Sequence, residues 1–395
     1  MRVRTRSVAA LAATVVTTIA VTAVPLAVRT FGDVRAAGLS SAGGAGGVRM
    51  NQIQYMGAHN AYHRELQDVE LQESLKIDPG YPSWGFYSHA SIPDLLGRQS
   101  VRGLELDLLP DPEGGLYRHP LPRKRAGLGP IDDPAMAKPG MKVLHVADQD
   151  YGTSCRTLVS CLEQVRTWSA ANPSHVPIIL QLELKQTDKR WEALGGAVSP
   201  AWSPTLLDAV DDEIRSVFPE DQLITADDLR RPGRTLEASV LRYGWPKLDW
   251  ARGKVLFFFD NGGPGGIRNM YTQGRPSLEG RAVFTQGPPG SPDAAVTMVN
   301  DPRGANGAVI QDLVQRGYLV RTRSDEPLRT VKSEEFSRVE VALASGAQLV
   351  TTDFPTVGMA ARYDSDFVAE LPGGIAVRCN PVSAPQTCRD AKLER

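Results

Sequence analysis

The chain has 395 residues, 42% of them hydrophobic and 23% charged, with a formal net charge of -1. That length suits one large catalytic domain or two modest ones, and the ordinary apolar fraction is enough to bury a sizeable core. The near-neutral total shows nothing like a basic nucleic-acid surface, and 37 glycines with 29 prolines predict many loops rather than long helices.

In chain order, the first feature is an address. Arg2, Arg4 and Arg6 precede an apolar stretch from Val8 to Val28, and a small-residue linker follows from Ala36 to Gly47. This order reads as a secretory signal or an N-terminal membrane anchor, so the protein is expected outside the cytoplasm. A buried N-terminal helix is the competing reading, and the glycine-rich linker argues against it. Residues 1–47 are therefore set apart, and 48–395 are expected to form the catalytic domain.

Apolar runs of strand length come next, at Ile53 to Gly57, Gly103 to Leu108, Lys142 to Val146, Val176 to Leu184, Lys254 to Phe259, Tyr318 to Thr322 and Gln348 to Thr351, with a weaker one at Ala282 to Thr285. Helical periodicity marks Leu158 to Ala171 and Glu334 to Ala344. In the first of these, Leu158, Cys161, Leu162, Val165 and Trp168 form an apolar stripe, which Asn172-Pro173 stops. Strand and helix in alternation predict an α/β fold, a (β/α)8 barrel of TIM type. A doubly wound sheet is the alternative, but no Gly-x-Gly-x-x-Gly turn follows an early strand.

Residues 61–91 and 109–140 are too long for ordinary loops. Both follow strands that end in polar residues, which in a barrel places them on the catalytic face. The first carries Tyr81, Trp84, Phe86 and Tyr87. These form either a small satellite core or an apolar rim for transient contact with a membrane surface. Cys155 and Cys161 lie six apart, and Cys379 and Cys388 nine apart. Two local disulfides are the simplest pairing, although four cysteines allow three connectivities. No CxxC spacing supports zinc instead.

The chemistry gathers at the carboxyl ends of strands. His59-Asn60 follows the first. Leu104-Glu105-Leu106-Asp107-Leu108 alternates strictly, so both carboxylates share a face. Gln181, Glu183 and Lys185 share a face at the end of a third apolar strand. Close carboxylates repel unless a cation relieves them, and an all-oxygen set of Asn60, Glu105, Asp107 and Glu183 suits calcium or magnesium. Lys185 would offer fixed positive charge to a phosphoryl oxygen. Taken singly, Glu-x-Asp on a strand is more often a solvated sheet face, and Lys185 beside Glu183 a surface charge; the ordered set of three strand ends points to an active site. Among six histidines, His59 and His145 are expected to do acid–base work, with His119 the rival for the second place, His89 able to reach the rim, and His63 and His175 in loops or turns.

At these residues the sequence resembles the calcium-dependent phosphoinositide-specific phospholipases C, most of all their secreted bacterial branch. The resemblance is carried by Gly57-Ala58-His59-Asn60-Ala61-Tyr62-His63, Glu105-x-Asp107, Lys142 to Asp148, Cys155 to Lys185, Gly317 to Arg323 and Gly346 to Pro355, spanning roughly residues 50 to 360. It implies a distorted TIM barrel, one catalytic Ca2+ (ahead of Mg2+) and two histidines about the phosphate. In the animal enzymes the second histidine follows the carboxylate pair after a short interval, as His119 does here, so His145 and His119 both stay open. The implied reaction cleaves phosphatidylinositol-type phospholipids to diacylglycerol and an inositol (cyclic) phosphate, with Arg321 and Arg323 binding the head group or making surface ion pairs. A monomer is expected. A glycerophosphodiester phosphodiesterase is the nearest alternative, disfavoured because Asn60 rather than an Arg-Gly pair follows His59. An inactive lipid-binding barrel and a secreted nuclease stand behind it.

Overall fold

Residues 47–262, 266–326 and 328–394 are described by a computed structural model. The expected N-terminal address lies outside the described residues. Among them, no helix is long and apolar enough to cross a membrane.

Among the described residues, eleven strands run in chain order: β1 Ile53–Ala58, β2 Gly103–Leu109, β3 Lys142–Val143, β4 Ile178–Leu184, β5 Leu223–Ile224, β6 Val255–Phe259, β7 Val283–Phe284, β8 Val296–Met298, β9 Leu319–Arg323, β10 Leu349–Thr352 and β11 Arg378–Cys379. Parallel pairing runs β1-β2-β4-β6-β7 on one side and β1-β10-β9-β8 on the other. A lone parallel bridge, Gln286 to Val296, joins β7 to β8 and closes the ring. The result is the expected (β/α)8 barrel, distorted because its β7–β8 seam is so thin.

Two expectations need correction. Lys142 to Val146 does not form a barrel strand: only Lys142–Val143 is extended, and it pairs antiparallel with Leu108 and Leu109 as a ribbon beyond the end of β2. The place in the barrel belongs instead to Val296–Met298, too short to show as an apolar run. His145 therefore sits in the turn after β3 rather than at a barrel strand's end.

Helices cover the outside. Leu158–Ala171 begins at a capping box, in which Thr157 and Ser160 satisfy each other's backbone N–H, and its C-cap is Asn172. Its buried stripe of Leu158, Cys161, Leu162 and Val165 joins one core cluster with Leu104, Leu106 and Leu108 of β2. The leucines of β2 thus face the helices, and its carboxylates are left to the interior of the barrel. The helix at Phe336–Ala344 matches its expected segment less two residues.

The 61–91 and 109–140 segments both leave the carboxyl ends of strands. A separate cluster of Leu66, Leu109, Tyr117, Ile131, Met136, Leu144, Ala147 and Tyr151 packs beneath them, a satellite core. Tyr81 and Tyr87 are buried, whereas Trp84 and Phe86 are half-buried. Both short disulfides form, Cys155–Cys161 and Cys379–Cys388. The second closes a tail that crosses the amino-terminal end of the barrel: β11 pairs with Ile53 and Gln54, and Glu394 meets Arg102 at 2.8 Å.

Gly57 and Gly103 face each other across β1 and β2, with the Leu349 side chain filling the space a methyl would need. A Cβ on Gly103 would lie 2.3 Å from Leu349 Cδ1. Gly103→Ala is expected to destabilise the fold by about 1–3 kcal/mol through overpacking, measured by urea unfolding. Leu349→Ala in the same chain should recover part of that loss, and no recovery would show that the clash lies elsewhere.

Candidate active site and metal centre

Register delivers the acidic residues to one mouth. Asp107 pairs with Glu183 across β2 and β4, and Glu105 pairs with Gln181 one level below. Leu182 pairs with Phe259, so Asp260 emerges beside Glu183. Ligand oxygens of Glu105, Glu183 and Asp260 all lie within 4.8 Å of one another. Lys185 Nζ stands 2.9 Å from Glu183 Oε1 and 3.1 Å from Asp107 Oδ2, the latter without good hydrogen-bond direction. Arg321 Nη2 is 3.1 Å from Glu105 Oε2.

Asn60 adopts the left-handed region at φ 48°, which asparagine tolerates better than most residues. Its Nδ2 donates to Tyr87 Oη at 3.1 Å. That leaves Asn60 Oδ1 and Asp107 Oδ1 buried with no partner, an arrangement that a protein seldom keeps without a ligand. Burial raises Glu105 well above the usual carboxylate range; Arg321 offsets part of this, and Asp260, Asp107 and Glu183 add to it. Burial likewise pushes Asp107 up to about 6 against the pull of Lys185. Orphaned oxygens, an all-oxygen donor set and mutually repelling carboxylates fit a hard divalent cation.

The histidines divide clearly. His59 Nδ1 donates to Asp353 Oδ1 at 2.7 Å, which leaves Nε2 facing Glu105 Oε1 at 3.9 Å. Burial, reinforced by Arg323, pushes the imidazole down to about 3 despite Asp353. His145 Nδ1 meets Asp150 Oδ2 at 2.7 Å, and its ring, 21% exposed, lines a cavity of about 180 Å³ with Lys185, Trp84, Arg190 and Trp191. His119 instead bonds the Leu128 carbonyl at 2.9 Å within its own loop. His89 is buried on the His59 carbonyl at 2.8 Å rather than at the rim. His63 and His175 prove fully buried: His63 bonds Asp150 at 2.8 Å, and His175 meets Ser169 Oγ at 2.7 Å. Asp150 thus takes His63, His145 and Tyr81 Oη (2.7 Å) on one carboxylate. The two histidines hold it below the usual carboxylate range although burial pushes the other way.

Arg321 and Arg323 share a face of β9, the first fully buried and the second half-buried. Arg321 is sealed between Glu105 and Asn300, and Arg323 holds Asp353 Oδ2 at 3.0 Å. In this arrangement both guanidiniums brace acidic members of the site. Asp353, Asp150 and Asp260 are the residues that sequence reasoning passed over. Each has a faint signal: Asp260 closes Val255-Leu256-Phe257-Phe258-Phe259, Asp353 closes β10, and Asp150 follows His145 by five.

The family model for Ca2+-dependent phosphoinositide phospholipase C matches residues 48–381. No curated protein matches the sequence significantly. Among solved structures, a calcium-dependent phosphoinositol-specific phospholipase C from Pseudomonas sp. is similar at 17% identity and a TM-score of 0.49, covering 84% of this chain and 96% of its own. The Ca2+-dependent phosphatidylinositol-specific phospholipase C of Streptomyces antibioticus is similar at 17% identity and a TM-score of 0.49, covering 80% and 98%. With the family model spanning most of its length, the chain belongs to the Ca2+-dependent phosphoinositide phospholipases C, phosphodiesterases whose cofactor is Ca2+.

Proposed function

We propose that this protein cleaves phosphatidylinositol-type lipids at the glycerol side of the phosphate, releasing diacylglycerol and an inositol phosphate that forms first as a cyclic ester. The observation that carries this reading is the pairing of an oxygen-donor cage with two aspartate-backed histidines at one barrel mouth. Asn60, Glu105, Asp107 and Glu183 would hold Ca2+, which supplies Lewis acidity that lowers the pKa of the attacking inositol hydroxyl and offsets charge on the phosphoryl oxygens.

The protein groups do the rest. Asp353 keeps the proton of His59 on Nδ1, so Nε2 is free to accept the hydroxyl proton as the oxygen attacks phosphorus. Asp150 holds His145 through Nδ1 and so orients the ring, which gives a proton to the leaving glycerol oxygen as the P–O bond breaks. Lys185 lines the same cavity as His145 and contributes fixed positive charge near the phosphate. Water then opens the cyclic ester, the two histidines exchanging roles. Half-buried Trp84 and Phe86 form the rim for transient contact with a lipid surface. The two disulfides support an extracytoplasmic location.

Chelation should abolish cleavage of phosphatidylinositol vesicles, and added Ca2+ should restore it; turnover untouched by chelator would remove the cation from the reaction. His59→Ala and His145→Ala should each lower kcat by about 10²- to 10⁴-fold, while His119→Ala stays close to wild type. The reverse order for His145 and His119 would reassign the acid. Asp353→Asn should reduce kcat with little change in KM, because it disturbs the tautomer of His59 rather than the substrate contacts. A phosphodiester panel with product identification separates the readings: preference for glycerophosphodiesters, or vesicle binding without turnover, would overturn the phospholipase assignment.

A further inference from the structure

Asp260 belongs to none of the motifs that point to the cation, yet the fold delivers it there. Its N–H donates to the Leu182 carbonyl at 2.9 Å and its carbonyl accepts from Gln286 Nε2 at 3.1 Å, which pins the end of β6. The register across β2, β4 and β6 then sets Asp107, Glu183 and Asp260 on one rung. On the rung below, Glu105 and Gln181 are in register with Phe258, which is fully buried, so the third position of the floor is apolar.

The charges do not balance within the described residues. Glu105, Asp107, Glu183 and Asp260 are four carboxylates, and the ion pairs they make are with two cations, Arg321 and Lys185. The residue is a formal charge of -2, the complement of one divalent ion; without Asp260 it would be -1. Asp260 Oδ2 takes one hydrogen bond, from Gln181 Nε2 at 2.8 Å. The tightest oxygen triplet in the mouth is Glu105, Glu183 and Asp260, not the Glu105–Asp107 pair with Glu183. Independently of these carboxylates, Asn60 Oδ1 and Gln181 Oε1 are buried there with no partner. Both side chains are at most 2% exposed.

We propose that Asp260 is a direct carboxylate ligand of the calcium, alongside Glu105 and Glu183. The inference rests on the calcium reading above and adds a ligand to it. A further charged oxygen raises affinity in such sites, so Asp260 sets how tightly the metal-free protein takes up Ca2+ before any lipid arrives.

The test is calorimetric titration of Ca2+ into chelator-treated full-length protein, with thermal unfolding as a second readout. Asp260→Asn should weaken Ca2+ binding by about 10- to 100-fold and shrink the rise in Tm that Ca2+ confers, while Asp260→Glu recovers part of both. Asp188→Asn removes the same charge from the cavity rim and should shift affinity far less, because that site is exposed and screened. Equal affinity for wild type and Asp260→Asn would overturn the inference and leave the calcium reading standing. So would an equal loss in Asp188→Asn, since that would be long-range electrostatics. A wild-type protein that takes up no Ca2+ would sink both. Should Asp260→Asn lack a cooperative transition without Ca2+, the decision passes to Asp260→Ser, where unchanged affinity together with a raised KM would make Asp260 a head-group contact instead.

Discussion

Repulsion among buried carboxylates is the constraint on which the rest of this structure depends. At an effective dielectric of about 20, two unit charges about 5 Å apart repel by roughly 3 kcal/mol. Several such pairs meet at the mouth of the barrel, enough to rival the net stability of a domain. The fold answers with countercharges of two kinds. Arg321 is sealed against Glu105, and Lys185 spans Asp107 and Glu183. What they leave uncompensated is what a divalent cation supplies, so the same electrostatic problem that burdens folding defines the cofactor.

The proposed acid–base groups follow a second rule. His59 and His145 are each backed by a buried aspartate that accepts from Nδ1: Asp353 for His59, Asp150 for His145. The backing is itself anchored, Asp353 by Arg323 and Asp150 by His63 and Tyr81. Through Tyr81 and Asp150 the long segment after β1 is tied to His145, and Leu144, Ala147 and Tyr151, which flank Asp150 in the chain, belong to the satellite core. A loop that looks like an insertion in the sequence thus helps to hold the aspartate behind His145.

Much of the fold was legible because it is local. The alternation in Leu104 to Leu108 forces leucines and carboxylates onto opposite faces whatever the partner strands are, and Asn172-Pro173 stops a helix at its own end. The Lys142 to Val146 run misled for the same reason: apolar pattern cannot say whether a strand pairs parallel inside a barrel or antiparallel beyond its rim. Val296–Met298 is a barrel strand that is only three residues long, held by its neighbours rather than by its own propensity.

The sequence by itself determined the donor chemistry: oxygen-bearing side chains at three strand ends, a histidine beside the first of them, and cysteines spaced for short loops. Only the tertiary structure decided which of these groups meet. Asp353 reaches His59 from 294 residues away and Arg321 reaches Glu105 from 216, distances over which no residue pattern carries information. It placed His145 beside Lys185 and His119 on the Leu128 carbonyl of its own loop. It also brought in Asp260, because the rung on which a carboxylate lands is set by strand register, and register is a property of paired strands, not of any one of them.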